Sequence, residues 1–348
     1  MTDHLEAQRR VHDRLAFVAL EVQFGAIKFA GDPSKETIMR LGRKTIPSRR
    51  IPVMWMIILC LAGLLTAMAQ QAQEEATRHL WDTAFVDQGK KAPTRRLARR
   101  SYRIVTPHVP VVGVAPDSVI GITLWRLRPS RKSDTGERII SHDGPESMEW
   151  LPERVSSTGR LSEGDRIRMS IEAARTGYLY VVDQEQYADG AKGEPYLIFP
   201  TTRTRGGDNS VKAGRIVEIP AQDDAPPYFT LKRTRADHVG ENVIVLVTPT
   251  PIESLTISDK AQRLSAETLA AWEKSWGTQT GRLEMIGGVG KSWTKQEREA
   301  GADGTRSMTE AEPAPQTIFY RPGVGSKDPV LIKVQLQYAR PRPSVKRR

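Results

Sequence analysis

The sequence predicts an all-β protein: a two-sheet β-sandwich, immunoglobulin-like or related, with a small helical insertion and disordered ends. Three observations predict this fold class. Seven or more short runs rich in β-branched and aromatic residues follow Ser118, with turn residues between them. No helical pattern alternates with these runs, as it would in an α/β protein. In several runs apolar and polar residues alternate, which indicates strands with one face towards a core.

Two runs in the middle of the chain are predicted to pair as a hairpin. Residues 166–172 alternate strictly between polar and apolar types, which predicts a strand with one buried face. Residues 178–182 follow after the turn signal Thr176-Gly177. Near the end of the chain, residues 332–338 alternate in the same way and are predicted to close a sheet that opened much earlier.

One helix stands out among the strands. Ser265 is a suitable N-cap, and Leu269, Trp272 and Trp276 share one face at spacings of three and four. Gly277 is a suitable end for this helix. We expect the helix to pack on the sandwich through its tryptophans.

An uncharged apolar segment, residues 54–69, follows a basic stretch and ends in Ala67-x-Ala69. This pattern is typical of a secretory signal peptide and predicts cleavage between Ala69 and Gln70. The expected location is therefore the periplasm or the cell surface. The alternative is that residues 51–69 anchor the chain in the inner membrane, although the run is shorter than a comfortable span.

Fifty-three residues precede this segment, which is unusual for a signal peptide. Translation from Met39 would place the basic stretch at the N-terminus, whereas a start at Met1 would favour the anchor. Cys60 is the only cysteine, so cleavage would leave a chain without disulfides, thiolate metal sites or a cysteine nucleophile.

The net charge of +11 is concentrated in two runs without acidic residues. Residues 90–103 hold seven Lys or Arg and residues 339–348 hold five, whereas the rest of the chain after residue 69 is net −5. Such arms suit an anionic cell-surface polymer or lipid, or an envelope protein. They carry almost no aromatic residues to stack on bases, so nucleic acid is not an expected partner.

These patterns divide the chain into six parts. They are the N-terminal extension and signal segment 1–69, a basic, Pro-containing linker 70–117, the β-sandwich core 118–257, a helical and Gly-rich insertion 258–327, a closing strand 328–338 and a basic tail 339–348.

Over roughly residues 160–252 the order and spacing of the strands resemble the bacterial domain-of-unknown-function family 4384, DUF4384. The runs GYLYV at 177–181 and LIFP at 197–200 carry most of the resemblance. It implies an exported or envelope module whose motif residues are structural, with Gly177 turning the hairpin and Pro200 stopping a strand. These motif residues are Gly164, Asp165, Gly177, Tyr178, Leu179, Tyr180, Phe199, Pro200, Gly214 and Pro220.

Motifs for bound groups are weak, and no cofactor is expected. Residues 287–292 look like a phosphate-binding loop, but Met285 replaces the first glycine that the pattern needs, so a plain turn is preferred over a nucleotide site. Asp183, Glu185 and Asp189 could offer oxygens to calcium, but their spacing does not fit the EF-hand. The histidines that follow residue 69 lack metal-ligand spacing.

No catalytic motif is present in the sequence, so no catalytic, cofactor-binding or metal residue is assigned. A polar loop with Arg203, Arg205, Asp208 and Asn209 is the candidate for holding a partner. The first hypothesis is an exported, non-catalytic binding or interaction module of the cell envelope. The alternatives are an extracytoplasmic hydrolase with a carboxylate site and a membrane-anchored regulator with residues 1–50 in the cytoplasm.

Signal cleavage makes a direct prediction about the exported protein. N-terminal sequencing of the chain recovered outside the cytoplasm is expected to begin at Gln70, because signal peptidase cuts after a small-x-small exit. A chain that retains residues 51–69 and stays with the membrane would instead support the anchor.

Overall fold

The computed structural model describes residues 102–111, 113–142, 147–277, 279–303, 315–323, 325 and 327–339. Within these ranges the protein is mostly β, with two packed sheets and two short helices, so the predicted sandwich-like fold is confirmed. None of the helices described there is long and apolar enough to cross a membrane. The signal segment, its cleavage site and nearly all of both basic arms lie outside the described residues.

The elements are numbered in chain order. The strands are β1 Tyr102–Ile104, β2 Val119–Pro129, β3 Ile139–Ser141, β4 Met148–Val155, β5 Arg160–Leu161, β6 Arg166–Ala173, β7 Gly177–Tyr187, β8 Tyr196–Phe199, β9 Ser210–Val211, β10 Arg215–Ile219, β11 Phe229–Thr230, β12 His238–Thr248, β13 Gln262–Arg263, β14 Gly281–Met285, β15 Thr317–Tyr320 and β16 Val330–Tyr338. The helices are α1 Ala266–Trp276 and α2 Lys295–Asp303, with 3-10 turns at Pro116–Ser118 and Arg205–Gly207.

The strands form two sheets, A and B. Sheet A runs β1-β14-β15-β2-β4-β3, with β6 also paired to β2, and β10 and β11 paired to β6. Sheet B runs β13-β8-β7-β12-β16-β5, with β9 also paired to β7. The pairs are antiparallel except β5 with β16. Strand β10 therefore lies at an edge of sheet A.

The main core lies between the two sheets. Ile167, Met169 and Ile171 of β6 face it, together with Val243 and Val245 of β12. In β16 buried and exposed residues alternate from Ile332 to Tyr338, as the sequence predicted. Each fully buried aliphatic side chain contributes roughly 1.5–3 kcal/mol, so this cluster is the main source of stability.

The predicted hairpin of residues 166–182 is wrong. Strand β6 belongs to sheet A and β7 to sheet B, so the chain crosses between the sheets instead of folding back within one. Nor is β6 buried on one face only, because Arg168, Ser170 and Glu172 on its other face are also buried. That face is covered by a cluster containing Trp125 and Trp293, which the local pattern of β6 could not reveal.

Gly177 does not turn a hairpin. It is the first residue of β7, and a Cβ at this position would lie 2.3 Å from the carbonyl oxygen of Thr248 on β12. The glycine is needed because two backbones approach closely. Gly164, by contrast, has a φ of +86° and does sit in a turn, between β5 and β6.

Helix α1 matches its prediction in cap, face and end. The Ser265 hydroxyl accepts a hydrogen bond from the Thr268 amide, and Gly277 ends the helix. Leu269 and Trp272 pack on the outer face of sheet B, in a cluster that includes Ile244 and Leu246.

Two predicted boundaries differ from the structure. Residues 258–327, predicted as a helical insertion, also supply β13, β14 and β15 to the sheets. Residues 102–117, predicted as part of a linker, contain β1 and bury Val109, Val111 and Val114 against sheet A. Strands β1, β13 and β14 are short and rich in polar or glycine residues, so their local patterns do not predict strands, whereas β15 is an apolar run of only four residues.

The close approach at Gly177 makes a testable prediction about stability. Gly177→Ala is expected to lower the free energy of unfolding by about 2 kcal/mol or more, because the new methyl group would overlap a backbone oxygen. Gly164→Ala is the control, since its Cβ meets no atom within 4 Å and only the positive φ opposes it, at about 1 kcal/mol. Urea unfolding measures both, and an equal or smaller loss for Gly177→Ala would contradict the close-contact argument.

Candidate functional site

The DUF4384-like motif residues build the fold. Leu179, Tyr180 and Phe199 are buried in the cores on the two faces of sheet B, and the Tyr180 hydroxyl accepts a hydrogen bond from the Ile252 amide at 2.8 Å. Asp165 accepts from the Ser162 amide at 2.8 Å and closes the turn before β6. The remaining motif residues are Gly214 at a turn with φ of +70°, the half-buried Tyr178, and Pro200 and Pro220 directly after β8 and β10.

The four residues of the predicted partner loop have different roles. Arg203, Arg205 and Asp208 are exposed, whereas Asn209 is buried and its side-chain amide donates to the Leu179 carbonyl at 3.1 Å. Asn209 therefore anchors the loop to β7. Arg205 and Asp208 come together in an ion pair of 3.2 Å, while Arg203 does not line the cavity described below.

The loop from Arg205 to Ser210 has a defined shape. Arg205, Gly206 and Gly207 all have positive φ, at 53°, 61° and 90°, and Arg205 is a non-glycine residue in this region. The Asp208 carboxylate accepts from the Ser210 amide at 2.9 Å. Desolvation raises the pKa of Asp208, but the hydrogen bonds from Ser210 and the charge of Arg205 outweigh it, so this pKa lies below its usual value. Asp208 is thus ionised, and its hydrogen bond to the Ser210 amide stabilises the turn.

This loop forms one wall of a groove of about 620 Å³, here called the edge groove. The second wall is β10, of which residues 215–218 line the groove in succession. Residues 221–223 and the end of α2, at Gly301 and Ala302, complete it. The edge groove thus combines a polar loop, an edge strand and a helix end.

The edge groove rests on a buried ion pair. Arg168 and Glu218 are 1% and 3% exposed and lie 2.7 Å apart, and Gln222 also donates to Glu218 at 2.8 Å. Burial raises the pKa of Glu218 and Arg168 opposes this effect, while burial lowers the pKa of Arg168. Removing one partner would leave a buried charge uncompensated, so the pair holds β10 and β6 in a fixed arrangement.

Helix α2, which covers this pair, was missed by the sequence reading. Its signal is a capping box, since Thr294 accepts from the Glu297 amide at 3.2 Å and Glu297 accepts from the Thr294 amide at 2.9 Å. Glu297 also forms a buried ion pair with Arg154 of β4. A Cβ on Gly301 would lie 2.2 Å from the Glu218 carboxyl carbon, which explains how closely the helix approaches β10.

The glycine-rich turn at 287–292 does not have the geometry of a phosphate-binding loop. The Gly290 amide donates to the Arg154 carbonyl at 2.9 Å, and the Trp293 amide donates to the Pro152 carbonyl at 3.0 Å. These amides thus pair with β4 and do not converge on an anion. Helix α2 begins only at Lys295, so its N-terminus does not follow the glycines directly.

A carboxyl cluster lies at one end of sheet B. It consists of Asp183, Glu185 and Glu241, with His238 3.1 Å from Glu241 and Tyr338 donating to Glu241 at 2.5 Å. Within the described residues, no group of acidic, histidine or cysteine side chains is arranged to hold a metal ion. The predicted calcium ligand Asp189 is exposed and instead accepts from the Ala191 amide at 2.9 Å.

Two carboxyl groups of the cluster, those of Asp183 and Glu241, titrate near neutral pH. Burial, then the charges of Glu241 and Glu185, raise the pKa of Asp183 to about 7. Burial also raises the pKa of Glu241 to about 7, against the hydrogen bond from Tyr338. Such values suit a general acid, but Glu241 is only 7% exposed and His238 is fully buried between two tyrosine rings. Glu241 and His238 are therefore closed to a substrate, whereas Asp183 and Glu185 are half-buried.

A second groove, of about 630 Å³, lies beside α1. Strand β16 contributes Leu331, Lys333 and Gln335, alternate residues that share one face of sheet B. Lys333 already pairs with Glu273 of α1 at 2.7 Å. This groove therefore lies over a sheet face, whereas the edge groove lies along a strand edge.

Comparison with known proteins bears on one part of the chain. Residues 160–251 match the family described as "Domain of unknown function (DUF4384)". No match was found among curated proteins or among solved structures. The family segment spans β5 to β12 and includes the loop, the strand and the ion pair of the edge groove, but not α2.

The carboxyl cluster predicts a pH dependence of stability. The folded-state pKa values of Asp183 and Glu241, about 7, exceed their ordinary values of 3.8 and 4.5, so the folded chain binds more protons between about pH 4 and 7. Their contribution is fully present below the ordinary values and is lost as pH rises through about 7. We expect the free energy of unfolding to fall by at least about 1 kcal/mol between pH 5 and pH 8.

Asp183→Asn tests this assignment, because the amide has the shape of the acid without its titration. Urea unfolding at several pH values should show a clearly smaller fall for Asp183→Asn than for the unchanged chain. The exposed Asp189→Asn is the matched control and should keep the full fall. Equal pH profiles for all three proteins would show that the carboxyl cluster is not where the folded chain binds its additional protons.

Proposed function

We propose that this chain, which carries a DUF4384 domain over residues 160–251, is an exported, non-catalytic binding or interaction module of the cell envelope. The observation that carries the proposal is the edge groove, an open cavity of about 620 Å³ along an edge strand. Clefts of this size are typical of ligand sites, and edge strands are typical of partner sites. The groove is where the proposed partner binds.

Its acidic groups favour binding over catalysis. Glu218 is buried against Arg168, and Asp208 is ionised and held by Ser210 and Arg205. Neither is an accessible carboxylic acid with a raised pKa, which a general acid needs, and the third acidic residue of the groove, Asp223, is exposed to solvent. The groove thus offers fixed charges and backbone groups for contact.

Export and adhesion are further parts of the proposal. The apolar segment 54–69, with its basic flank and Ala67-x-Ala69 exit, supports delivery to the periplasm or the cell surface. The basic runs at 90–103 and 339–348 support adhesion to an anionic lipid or cell-surface polymer, while the net −5 remainder would not adhere in this way. The arms would hold the protein near the envelope, and the groove would choose its partner.

An extracytoplasmic hydrolase is the second candidate. The paired carboxyl groups of Asp183 and Glu241 favour it, since both have a pKa near 7. The burial of Glu241, which is 7% exposed, opposes it. A membrane-anchored regulator differs from the first proposal only in whether residues 51–69 are retained.

A binding screen with a simultaneous turnover assay separates these functions. The full exported chain is tested against envelope peptides, envelope polysaccharides and anionic lipid vesicles. We expect saturable binding without turnover, and we expect Lys212→Glu in the edge groove to weaken it at least about tenfold by reversing a charge. Lys260→Glu, at an exposed site that does not line the groove, is the matched control and should bind normally.

Two results would contradict the proposal. Turnover of any of these materials that Glu241→Gln abolishes would establish the hydrolase. Binding that is equally weakened by Lys212→Glu and Lys260→Glu would reflect general surface charge and not the edge groove.

A further inference from the structure

The edge groove runs along the backbone of β10. Successive side chains of a strand point to opposite faces of its sheet, so a cavity over one face touches alternate residues only. Four consecutive residues, 215–218, line the edge groove. A cavity that lies beside the strand, at its free edge, can contact all four. The second groove shows the contrast, because it touches alternate residues of β16.

The edge of β10 that faces away from β6 has no strand paired to it among the described residues, although the side chains of residues 216–219 are buried. Within the described residues β10 pairs with β6 alone. The backbone of residues 216–219 makes no further hydrogen bond to another described backbone group. A row of unpaired amides and carbonyls at a sheet edge is a template for another strand. A protein partner in extended conformation could therefore continue sheet A.

Two cations at the start of this edge make no close ion pair with a described carboxylate, although the charge of Lys212 helps to lower the pKa of Asp208. Lys212 is exposed, Arg215 is half-buried, and neither forms an ion pair with a described residue. The Arg215 Nη1 atom is also buried without a hydrogen-bond partner within the part of the chain that the structure describes. Arg215 lines the edge groove, so the positive charge of its guanidinium group attracts a carboxylate there.

We infer that the edge groove binds an extended acidic peptide segment of another envelope protein, which pairs with β10 as an additional strand of sheet A and places carboxylates at Lys212 and Arg215. The inference rests on the proposed binding function and names its partner class. Strand β10 has five residues, so the paired stretch would be about five residues or 16 Å long. Main-chain bonds would supply affinity and the two cations would supply specificity.

The charge pattern favours a peptide over a uniformly anionic polymer. Arg205, the third cation of the groove, is already neutralised by Asp208. Asp223 and Asp208 also line the groove and would repel a continuous row of negative charges. A peptide can place carboxylates at two positions and neutral residues elsewhere, which a polyphosphate cannot do.

The test uses the full chain and a defined probe. The probe is a fluorescein-labelled octapeptide of alternating valine and glutamate with blocked ends, measured by fluorescence anisotropy. We expect saturable binding, at least about tenfold weaker binding of the valine–lysine counterpart, and a similar loss when every backbone nitrogen of the probe is methylated. Methylation keeps the charges and removes the donors, so it isolates strand pairing.

Variants of the groove residues show where on the protein the probe binds. Arg215→Gln and Lys212→Gln are each expected to weaken binding about tenfold, because each removes a charged contact. The exposed Lys260→Gln is the matched control. Hydrogen exchange should slow at the amides of 216–219 that do not bond to β6. Thermal unfolding checks each variant, and the exposed Lys212→Gln keeps the test valid if Arg215→Gln does not fold.

Three outcomes of the probe measurements would overturn the inference. In the first, the valine–glutamate probe shows no saturable binding. In the second, its methylated form binds equally well. In the third, the peptide does not bind, but polyphosphate does, and the same variants weaken that binding. An envelope ligand that binds the exported chain without sensitivity to Arg215→Gln or Lys212→Gln also overturns it, but leaves the proposed binding function standing. Turnover without peptide binding would contradict both this inference and the proposed binding function.

Discussion

Strand β6 is buried on both faces, and this constraint determines much of the surrounding structure. Its inner residues join the core between the sheets, while Arg168, Ser170 and Glu172 point outward into a covered region. A buried polar group without a partner is costly, so each needs a neighbour. Trp125 donates to Ser170 at 2.9 Å, and Glu218 pairs with Arg168 at 2.7 Å. The partner of Arg168 brings β10 into place, and the edge groove follows from its position.

The segment matching DUF4384 does not complete the sandwich by itself. It spans β5 to β12, yet β6 takes its second neighbour from β2 and β12 takes its second neighbour from β16, both outside the segment. Helix α2, which covers Glu218, also comes from later in the chain. The unmatched parts are therefore structural, and the wall that α2 adds to the groove belongs to this chain and not to the family segment.

Sequence patterns predicted those elements whose signals are local. Helix α1 has its cap, apolar face and terminal glycine within thirteen residues, and β16 alternates from Ile332 to Tyr338 because one face of that stretch is exposed. The predicted hairpin of β6 and β7 failed because a tight connection within a sheet and a crossing between sheets use the same turn residues. In the candidate loop, Arg205 and Asp208 border the edge groove, whereas Asn209 anchors the loop to β7.

By itself, the sequence determined the all-β character, the approximate position of several main strands, and the concentration of positive charge in residues 90–103 and 339–348. These properties depend on residue order over a few positions. Only the tertiary structure decided which strands are neighbours, which polar residues are buried, and that four residues of β10 border a groove. Those properties depend on contacts between residues far apart in the chain, such as Arg168 with Glu218, and no local pattern records them.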